Sequence, residues 1–468
     1  MIVEILEFLF LVVTALIITY VVRHYLFTIT ILRNQHRKLE KPAADDNAHY
    51  EPSVSILIPA RNEEQVIGRL LHRITELTYP KEKMQVIVIN DGSSDNTGRI
   101  ADEYAKMHNY FTIVHRKGET AGRGKASALN AGLNLAEGEI IICFDADYYP
   151  QEDILEKLTR EFSDPRVGAV QGRVTVLNEP LNMVTRLVAL ERIGGYLIDQ
   201  QARDSLGLIP QFGGTVGGLR RSLLERMGGW DESVLAEDMD LTFRVYLAGY
   251  KVRYINEAEC YEEAVESWRD YRKQRYRWAK GHMQCFFKHW FQVIKSKNLN
   301  IREKIDGLLL LNIYFMPVWV LLSWIVGVPL IFSKSFQWLS LPWTVAPIAF
   351  YSSVGNFAPF FEVGIGAYLD GRSRAHRLLP LLIFTFLYNI FICTKALTSV
   401  LVCKLTGNNN NHWSKTNHTG NGNRYITNCV NSLTHGNCSD SGLESNSVCH
   451  AAVRSCVVHV HHAFACVS

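Results

Sequence analysis

The stretch from Ile5 to Thr30 is apolar over about 26 residues, longer than the roughly 20 that a helix needs to cross a bilayer, so the chain is expected to be anchored in a membrane. Its flanks differ from those of a cleaved signal peptide, which carries positive charge first, a shorter apolar run and a small-residue cleavage site. Here Glu4 and Glu7 precede the run, and Arg33, Arg37, Lys38 and Lys41 follow it. Composition agrees: 47% of the residues are hydrophobic and 20% charged, a ratio high for a wholly soluble protein. Three further apolar segments, Leu308 to Phe332, Leu339 to Phe361 and Leu378 to Thr394, predict a compact C-terminal membrane bundle. Pro342, Pro347, Asn356 and Pro359 interrupt the middle one, leaving either a crossing or a buried re-entrant element. The basic residues of Arg33 to Lys41 and Lys295 to Lys304, with Arg372, Arg374 and Arg377, all fall on one side, which the positive-inside bias makes cytoplasmic. The expectation is a multi-pass protein of a plasma membrane with its N-terminus outside and residues of about 34 to 305 in the cytoplasm.

Between the membrane segments the pattern is α/β. Val54 to Pro59, Val86 to Ile89, Phe111 to Val114 and Ile140 to Phe144 read as short buried strands. A helix is expected from Glu63 to Leu77, and another after Gly92 with Ser94 or Asp95 as its N-cap. Strands separated by helices of this length imply a mostly parallel sheet with helices on both faces. Ligands then bind beyond the carboxyl ends of the strands, where Glu63, Asp91, Asp145 and Asp147 would gather. A net charge of +3, from 49 basic and 46 acidic residues, gives no reason to expect nucleic acid as a partner.

Asp145-Ala146-Asp147 follows an apolar strand, and in extended geometry its two carboxylates leave on the same side. Such oxygen ligands suit Mg²⁺ or Mn²⁺, with phosphate oxygens and water completing the shell; the structural alternative is a pair capping the helix near Pro150. Lys125, just past a glycine-bearing loop without Walker spacing, can reach a diphosphate as a point charge or lie exposed at a helix start. Glu237, Asp238 and Asp240 open an apolar helix; one is a candidate general base, and all three suit a helix N-terminus. Gln274, Arg277 and Trp278 share a helical face fit to hold a diphosphate and stack on a sugar, while the same helix could also lie on anionic lipid. Phe286, Phe287, Trp290, Phe291 and Ile294, with Lys288, Lys295 and Lys297, read as an interfacial stretch.

With Asn90-Asp91-Gly92-Ser93, Asp145-Ala146-Asp147, Glu237-Asp238 and Gln274-Arg275-Tyr276-Arg277-Trp278 in that order, the chain resembles the membrane-bound branch of the family 2 glycosyltransferases. That branch has the GT-A fold and includes the synthases of cellulose, chitin, hyaluronan and poly-N-acetylglucosamine, and enzymes that put one sugar on a membrane lipid. The resemblance covers residues of about 50 to 300 and the flanking helices. It implies a UDP-sugar donor, with Pro59, Ala60, Glu63 and Asp91 on the uridine part and Lys125 and Asp145 on the diphosphate and sugar. It also implies a metal at Asp147 with Asp145, and Asp238 as catalytic base. Gln274, Arg277 and Trp278 would bind donor diphosphate or acceptor, and Glu237 and Phe212-Gly213-Gly214-Thr215 would lie near the acceptor. Ala236 departs from the threonine that the family often places before Glu-Asp. The first expectation for the product is a β-linked polysaccharide of the poly-N-acetylglucosamine or glucan type, and the alternative a single sugar on diacylglycerol or a similar lipid. A degenerate receptor is disfavoured because the acids are all present, and a metal hydrolase because no paired histidines lie near them.

The expected organisation is a membrane helix over 1–33, a catalytic domain over 50–280, interfacial helices over 281–305 and membrane helices over 308–404. From about Asn408 the composition changes, with four consecutive asparagines, five of the ten cysteines and seven of the sixteen histidines. His412-Trp413-Ser414-Lys415-Thr416 resembles the ordered C-terminal element of such synthases, whereas the rest of 408–468 reads as a low-order or out-of-frame tail, with a metal-binding or disulfide-linked tail as alternatives.

Overall fold

The computed structural model describes residues 2–38, 50–332, 355–371, 373–407 and 419–422. Helix α1 (Ile2–Lys38) comes first. Then β1 (Val54–Ala60), β2 (Met84–Asp91), β3 (Phe111–Arg116), β4 (Ile140–Cys143), β5 (Tyr149–Pro150), β6 (Val167–Val176), β7 (Gly217–Arg220) and β8 (Lys251–Glu262) form one sheet in the order β3-β2-β1-β4-β7-β6-β8-β5. β1 runs parallel to β2 and β4, β2 to β3, and β6 to β8; β7 is antiparallel to both its neighbours, and β5 to β8. The mostly parallel α/β sheet read from the sequence is therefore present.

Between and after the strands lie α2 (Ile67–Thr75), α3 (Thr97–Met107), α4 (Lys125–Leu133), α5 (Ile154–Thr159), α6 (Met183–Arg192), α7 (Gln201–Ser205), α8 (Arg221–Arg226) and α9 (Glu237–Leu247). Successive strand residues point to opposite faces, so β1 and β2 feed two cores. Ile56, Ile58, Val86 and Val88 pack with Leu70, Leu71 and Ile74 of α2. Leu57, Ile87 and Ile89 pack with Leu129 of α4 and Met239 and Phe243 of α9. Each such side chain contributes about 1.5–3 kcal/mol on full burial, which explains why these strands read as nearly continuous apolar runs.

Two helix starts differ from the sequence reading. α2 begins at Ile67, not Glu63, because residues 61–66 are tied to the turn after β2: Ser93 Oγ accepts from Asn62 N at 2.9 Å and Asn62 Oδ1 accepts from Ser94 N at 2.8 Å. Asn96, not Ser94 or Asp95, occupies the N-cap position of α3. Asp95 Oδ1 instead accepts from Thr97 N and Oγ1, and its Oδ2 from Glu64 N.

After the sheet, α10 (Trp268–Lys295) runs unbroken through residue 280, followed by α11 (Ile301–Leu311), α12 (Met316–Phe332), α13 (Ala358–Leu369) and α14 (Leu382–Thr406). Among the described residues three helical stretches are long and apolar enough to cross a membrane: Ile2–Asn34, Ile313–Leu330 and Arg377–Thr406. The segment expected at 339–361 lies largely outside the described residues, and α13 is too short to span. Arg372 and the tail beyond 408, apart from 419–422, also lie outside them. α14 follows α10 along its length: Tyr388 meets Trp268 and Tyr271, Cys393 and Ala396 pack with Ala279 and Met283, and Lys404 lies over Phe287. Buried ion pairs join the sheet domain to the apolar helices, Arg23 with Asp199, Arg203 with Asp306, and Arg173 with Asp370.

The expected interfacial stretch divides in two. Phe286 and Phe287 face inward, their rings 4.9 and 6.0 Å from that of Phe315, while Trp290, Phe291 and Ile294 are exposed. Helical spacing separates these faces. Phe286→Ala is therefore expected to cost on the order of 3 kcal/mol and Phe291→Ala close to nothing in detergent, measured by thermal unfolding of the purified variants.

Candidate active site

The carboxyl ends of β1, β2 and β4 open onto a cavity of about 540 Å³. Pro59, Ala60, Glu63, Asp91, Lys125, Asp145, Asp147, Gly213, Thr215, Glu237, Asp238, Gln274, Arg277 and Trp278 all line it, so residues spread over more than two hundred positions share one wall. Phe212 and Gly214 do not. Phe212, expected near the acceptor, is instead fully buried in the core beneath α9, with its backbone N donating to Thr242 Oγ1 at 3.0 Å.

Asp91 ends β2 with its Oδ1 accepting from Arg116 Nη1 at 2.7 Å and from Gly122 N at 3.0 Å. Lys125 opens α4 after Gly124, whose φ of 106° turns the chain toward the cavity. Its Nζ lies 2.6 Å from Asp145 Oδ1 and donates to Gly214 O at 3.1 Å. Burial alone would lower the Lys125 ammonium, but Asp145 and Glu237 raise it above the usual lysine value, so it is a fixed cation.

The Asp145–Asp147 pair departs from the extended geometry read from its i, i+2 spacing. β4 ends at Cys143, and Asp145 O accepts from Tyr148 N at 3.2 Å in a turn. Asp145 faces Lys125, whereas Asp147 is buried, with Oδ2 accepting from Glu263 N at 3.3 Å and its carbonyl from Arg69 Nη2 at 2.7 Å. Among the described residues no group of three or more His, Cys, Asp or Glu is placed to hold an ion. Two carboxylates on one cavity fit a divalent cation that brings much of its shell with it, as a diphosphate-bound one does; they do not make an all-protein cage.

The loop Phe212–Thr215 links the two halves. Gln171 Oε1 accepts from Gly213 N at 2.6 Å and its Nε2 donates to Thr215 O at 3.0 Å, while Thr215 Oγ1 accepts from Asp145 N at 3.1 Å. At Gly214, with φ +74°, a Cβ would stand 3.0 Å from that of Asp238; glycine lets the loop lie against the start of α9. Glu237 is buried there, and burial pushes its carboxyl up to about 7 against the pull of Lys125. Asp238 is half-buried; Met239 N donates to its Oδ1 at 2.8 Å, and among the described residues it forms no ion pair. Asp240 turns away into a buried cluster with His289, Lys288 and Arg244, so the three acids of this turn have different surroundings.

α10 presses on the same turn through Gly281, where a Cβ would meet Ala236 N at 2.6 Å. That contact leaves little room above Ala236, which accounts for a small residue at that position. Gln274, Arg277 and Trp278 line the cavity from α10, and Arg277 Nε is buried without a hydrogen-bond partner among the described residues. Beyond them the lining continues through Leu310, Ile313, Pro317, Asn389 and Cys393 of the apolar helices. Several lining groups were missed in the sequence: Arg192, Tyr196, Glu262, Glu263 and His282. Glu262 and Glu263 carry the same signal as Asp91, an acid at a strand's carboxyl end, and His282 lies one turn beyond Trp278 on the same helix; Arg192 and Tyr196 reach the cavity only through helix packing.

Residues 140–352 match the family model described as glycosyl transferase family group 2, and residues 55–179 that of glycosyltransferase like family 2. The probable glycosyltransferase YdaM of Bacillus subtilis (strain 168) is 38% identical over 261 residues, 56% of this chain and 62% of that protein. β-Monoglucosyldiacylglycerol synthases of Trichormus variabilis and of a Nostoc species are 36% and 35% identical over 267 residues, 57% of this chain and 56% of theirs. The chain thus spans well over half, though not two thirds, of these relatives' lengths. Among solved structures, the mannosyltransferase PcManGT from Pyrobaculum calidifontis, in complex with GDP-Man and Mn²⁺, superposes with a TM-score of 0.56 at 24% identity, covering 83% of this chain and 99% of that one; this is a likeness of fold. Residues 55–352 thus match family 2 glycosyltransferase domains, and the sheet domain has the GT-A fold.

Because the carboxyl of Glu237 is raised from 4.5 to about 7, its protonated form favours the fold: that stability is complete below pH 4.5 and is lost as pH rises through about 7. Glu237→Gln holds the neutral form, so its stability relative to wild type should increase between those pH values. Parallel thermal melts that show a constant difference would contradict the raised value.

Proposed function

We propose that this chain moves a hexosyl group from a nucleotide-sugar donor onto an acceptor lipid in the membrane, inverting the anomeric centre. The observation that carries the reading is the continuous cavity wall from the strand ends at Asp91 and Asp145 to Ile313, Pro317 and Cys393 on the apolar helices. A water-soluble donor can enter at one end and a membrane-borne hydroxyl at the other. Relatives named β-monoglucosyldiacylglycerol synthase favour this acceptor class over the polysaccharide expected first. A growing polysaccharide is the second reading, favoured by Trp278 on the cavity wall beside Gln274 and Arg277, since an indole stacks well on a sugar ring.

Each residue then has a role. Pro59, Ala60, Glu63 and Asp91 hold the nucleoside, UDP being the first donor to try. Lys125 and Arg277 supply positive charge to the departing diphosphate. Asp145 and Asp147 hold Mg²⁺ or Mn²⁺ when it arrives with the donor, and the ion would neutralise further charge on the leaving group. Asp238 is the base: a carboxylate with no ion pair among the described residues is available to take the acceptor's proton as its oxygen attacks from the face opposite the diphosphate. Glu237, whose carboxyl burial raises to about 7, lies beside it at the start of the same helix. The basic residues flanking the spans favour the cytoplasmic side of the plasma membrane for this domain.

Membranes holding the protein, incubated with Mg²⁺ or Mn²⁺ and radiolabelled UDP-glucose or UDP-N-acetylglucosamine, should place label in the lipid-soluble fraction. Polymeric label would instead establish the second reading, and no label from any donor would sink both. Asp238→Asn should lose transfer by about 100-fold or more while still binding donor; loss of donor binding as well would refute its role as base.

A further inference from the structure

Trp278 does not stand alone on the cavity wall. The guanidinium carbons of Arg192 and Arg275 lie 5.0 and 4.4 Å from its ring centroid. Each of these cations is held by a carboxylate. Arg192 Nε and Nη2 donate to Glu262 Oε1 and Oε2 at 2.5 and 3.0 Å, and Arg275 pairs with Glu191. Glu191 and Arg192 are neighbours at the end of α6, whose start is fixed by the capping box of Asn182 and Thr185. Directly after them the chain widens into a π-helical turn, Ile193–Gln200, a form that often marks functional sites. One dipeptide therefore grips α10 with its first residue and the end of β8 with its second.

The second grip leads further. Glu262 Oε2 also accepts from Tyr148 Oη at 2.9 Å, and Tyr148 follows Asp147 in the turn that carries both donor-side aspartates. A chain thus runs from that turn through the buried Tyr148 and Glu262 and the half-buried Arg192 to the face of Trp278. Bidentate pairing fixes the guanidinium plane, and a planar cation on an indole restricts the ring more than an ammonium can. Resting on the transfer reading above, we infer that Arg192 is a positioning residue that sets Trp278 for the acceptor, with Glu262 and Tyr148 relaying the state of the Asp145–Asp147 turn to it.

The test compares Arg192→Lys, Trp278→Ala and the double variant, reading acceptor kcat/KM, donor KM and nucleoside diphosphate release without acceptor. Arg192→Lys should lower acceptor kcat/KM by roughly 100-fold, the scale of a misplaced substrate contact, with donor KM and acceptor-free release unchanged. In the Trp278→Ala background the same substitution should cost nothing more, because its effect passes through the indole. Losses that multiply, or a donor KM that rises in step, would overturn the inference and leave a structural ion pair. If Arg192→Lys does not fold, Glu262→Gln is read in the same way, and failure of both to fold would likewise assign the pair to structure. A wild-type protein that turns over no donor defeats the transfer reading itself; turnover with a normal Arg192→Lys variant defeats only this inference.

Discussion

Mutual repulsion among carboxylates is the constraint around which the site is built. Asp91, Asp145, Asp147, Glu237, Asp238, Glu262 and Glu263 line one cavity, and two like charges 4 Å apart repel by about 4 kcal/mol at an effective dielectric of 20. Several unrelieved pairs would match the whole stability of a domain. The fold meets this by seating cations among the acids: Arg116 on Asp91, Lys125 on Asp145, Arg192 on Glu262 and Arg69 near Glu263. Glu237 differs, because burial, more than its neighbour Asp238, raises its carboxyl to about 7. Against that background the half-buried Asp238 stands without an ion pair among the described residues, which is what the proposed role as base draws on.

The cations are also structural ties. Lys125 reaches from α4 to the carbonyl of Gly214 as well as to Asp145, so one ammonium joins the end of β4 to the loop beside Asp238. Gln171 holds the same loop from β6. α10 then closes on the start of α9 at Gly281 and Ala236 while α14 lies along its other side. Asp238, the face of Gln274, Arg277 and Trp278, and the apolar helices are therefore parts of one packed unit, which on the proposed reading would let a membrane acceptor and a soluble donor meet at a fixed distance.

What the sequence made legible follows from what is local. Runs such as Val86 to Ile89 announce a strand buried on both faces, and the acid at each strand's end follows from the sheet's polarity. The common face of Gln274, Arg277 and Trp278 needs only helical spacing. The readings that failed depended on neighbours distant in sequence. α2 starts late because its lead-in bonds the turn at Ser93, Phe212 turns inward to fill the core under α9, and Phe286 is claimed by Phe315. Asp145 and Asp147 diverge because Lys125 draws one and the Glu263 amide the other. Arg192 gave no local signal, since it reaches the cavity only after two helices have packed.

The claim that joins these features is that Asp238 acts on the acceptor from the face opposite the departing diphosphate, in a single displacement. The most direct measurement is the anomeric configuration of the glycoside formed from an α-linked nucleotide sugar, read from the proton coupling of the isolated product by NMR. A β-glycoside as the sole product is the predicted result. An α-glycoside would mean two displacements or attack from the leaving-group face, and would contradict both the role of Asp238 and the division of the cavity into donor and acceptor sides.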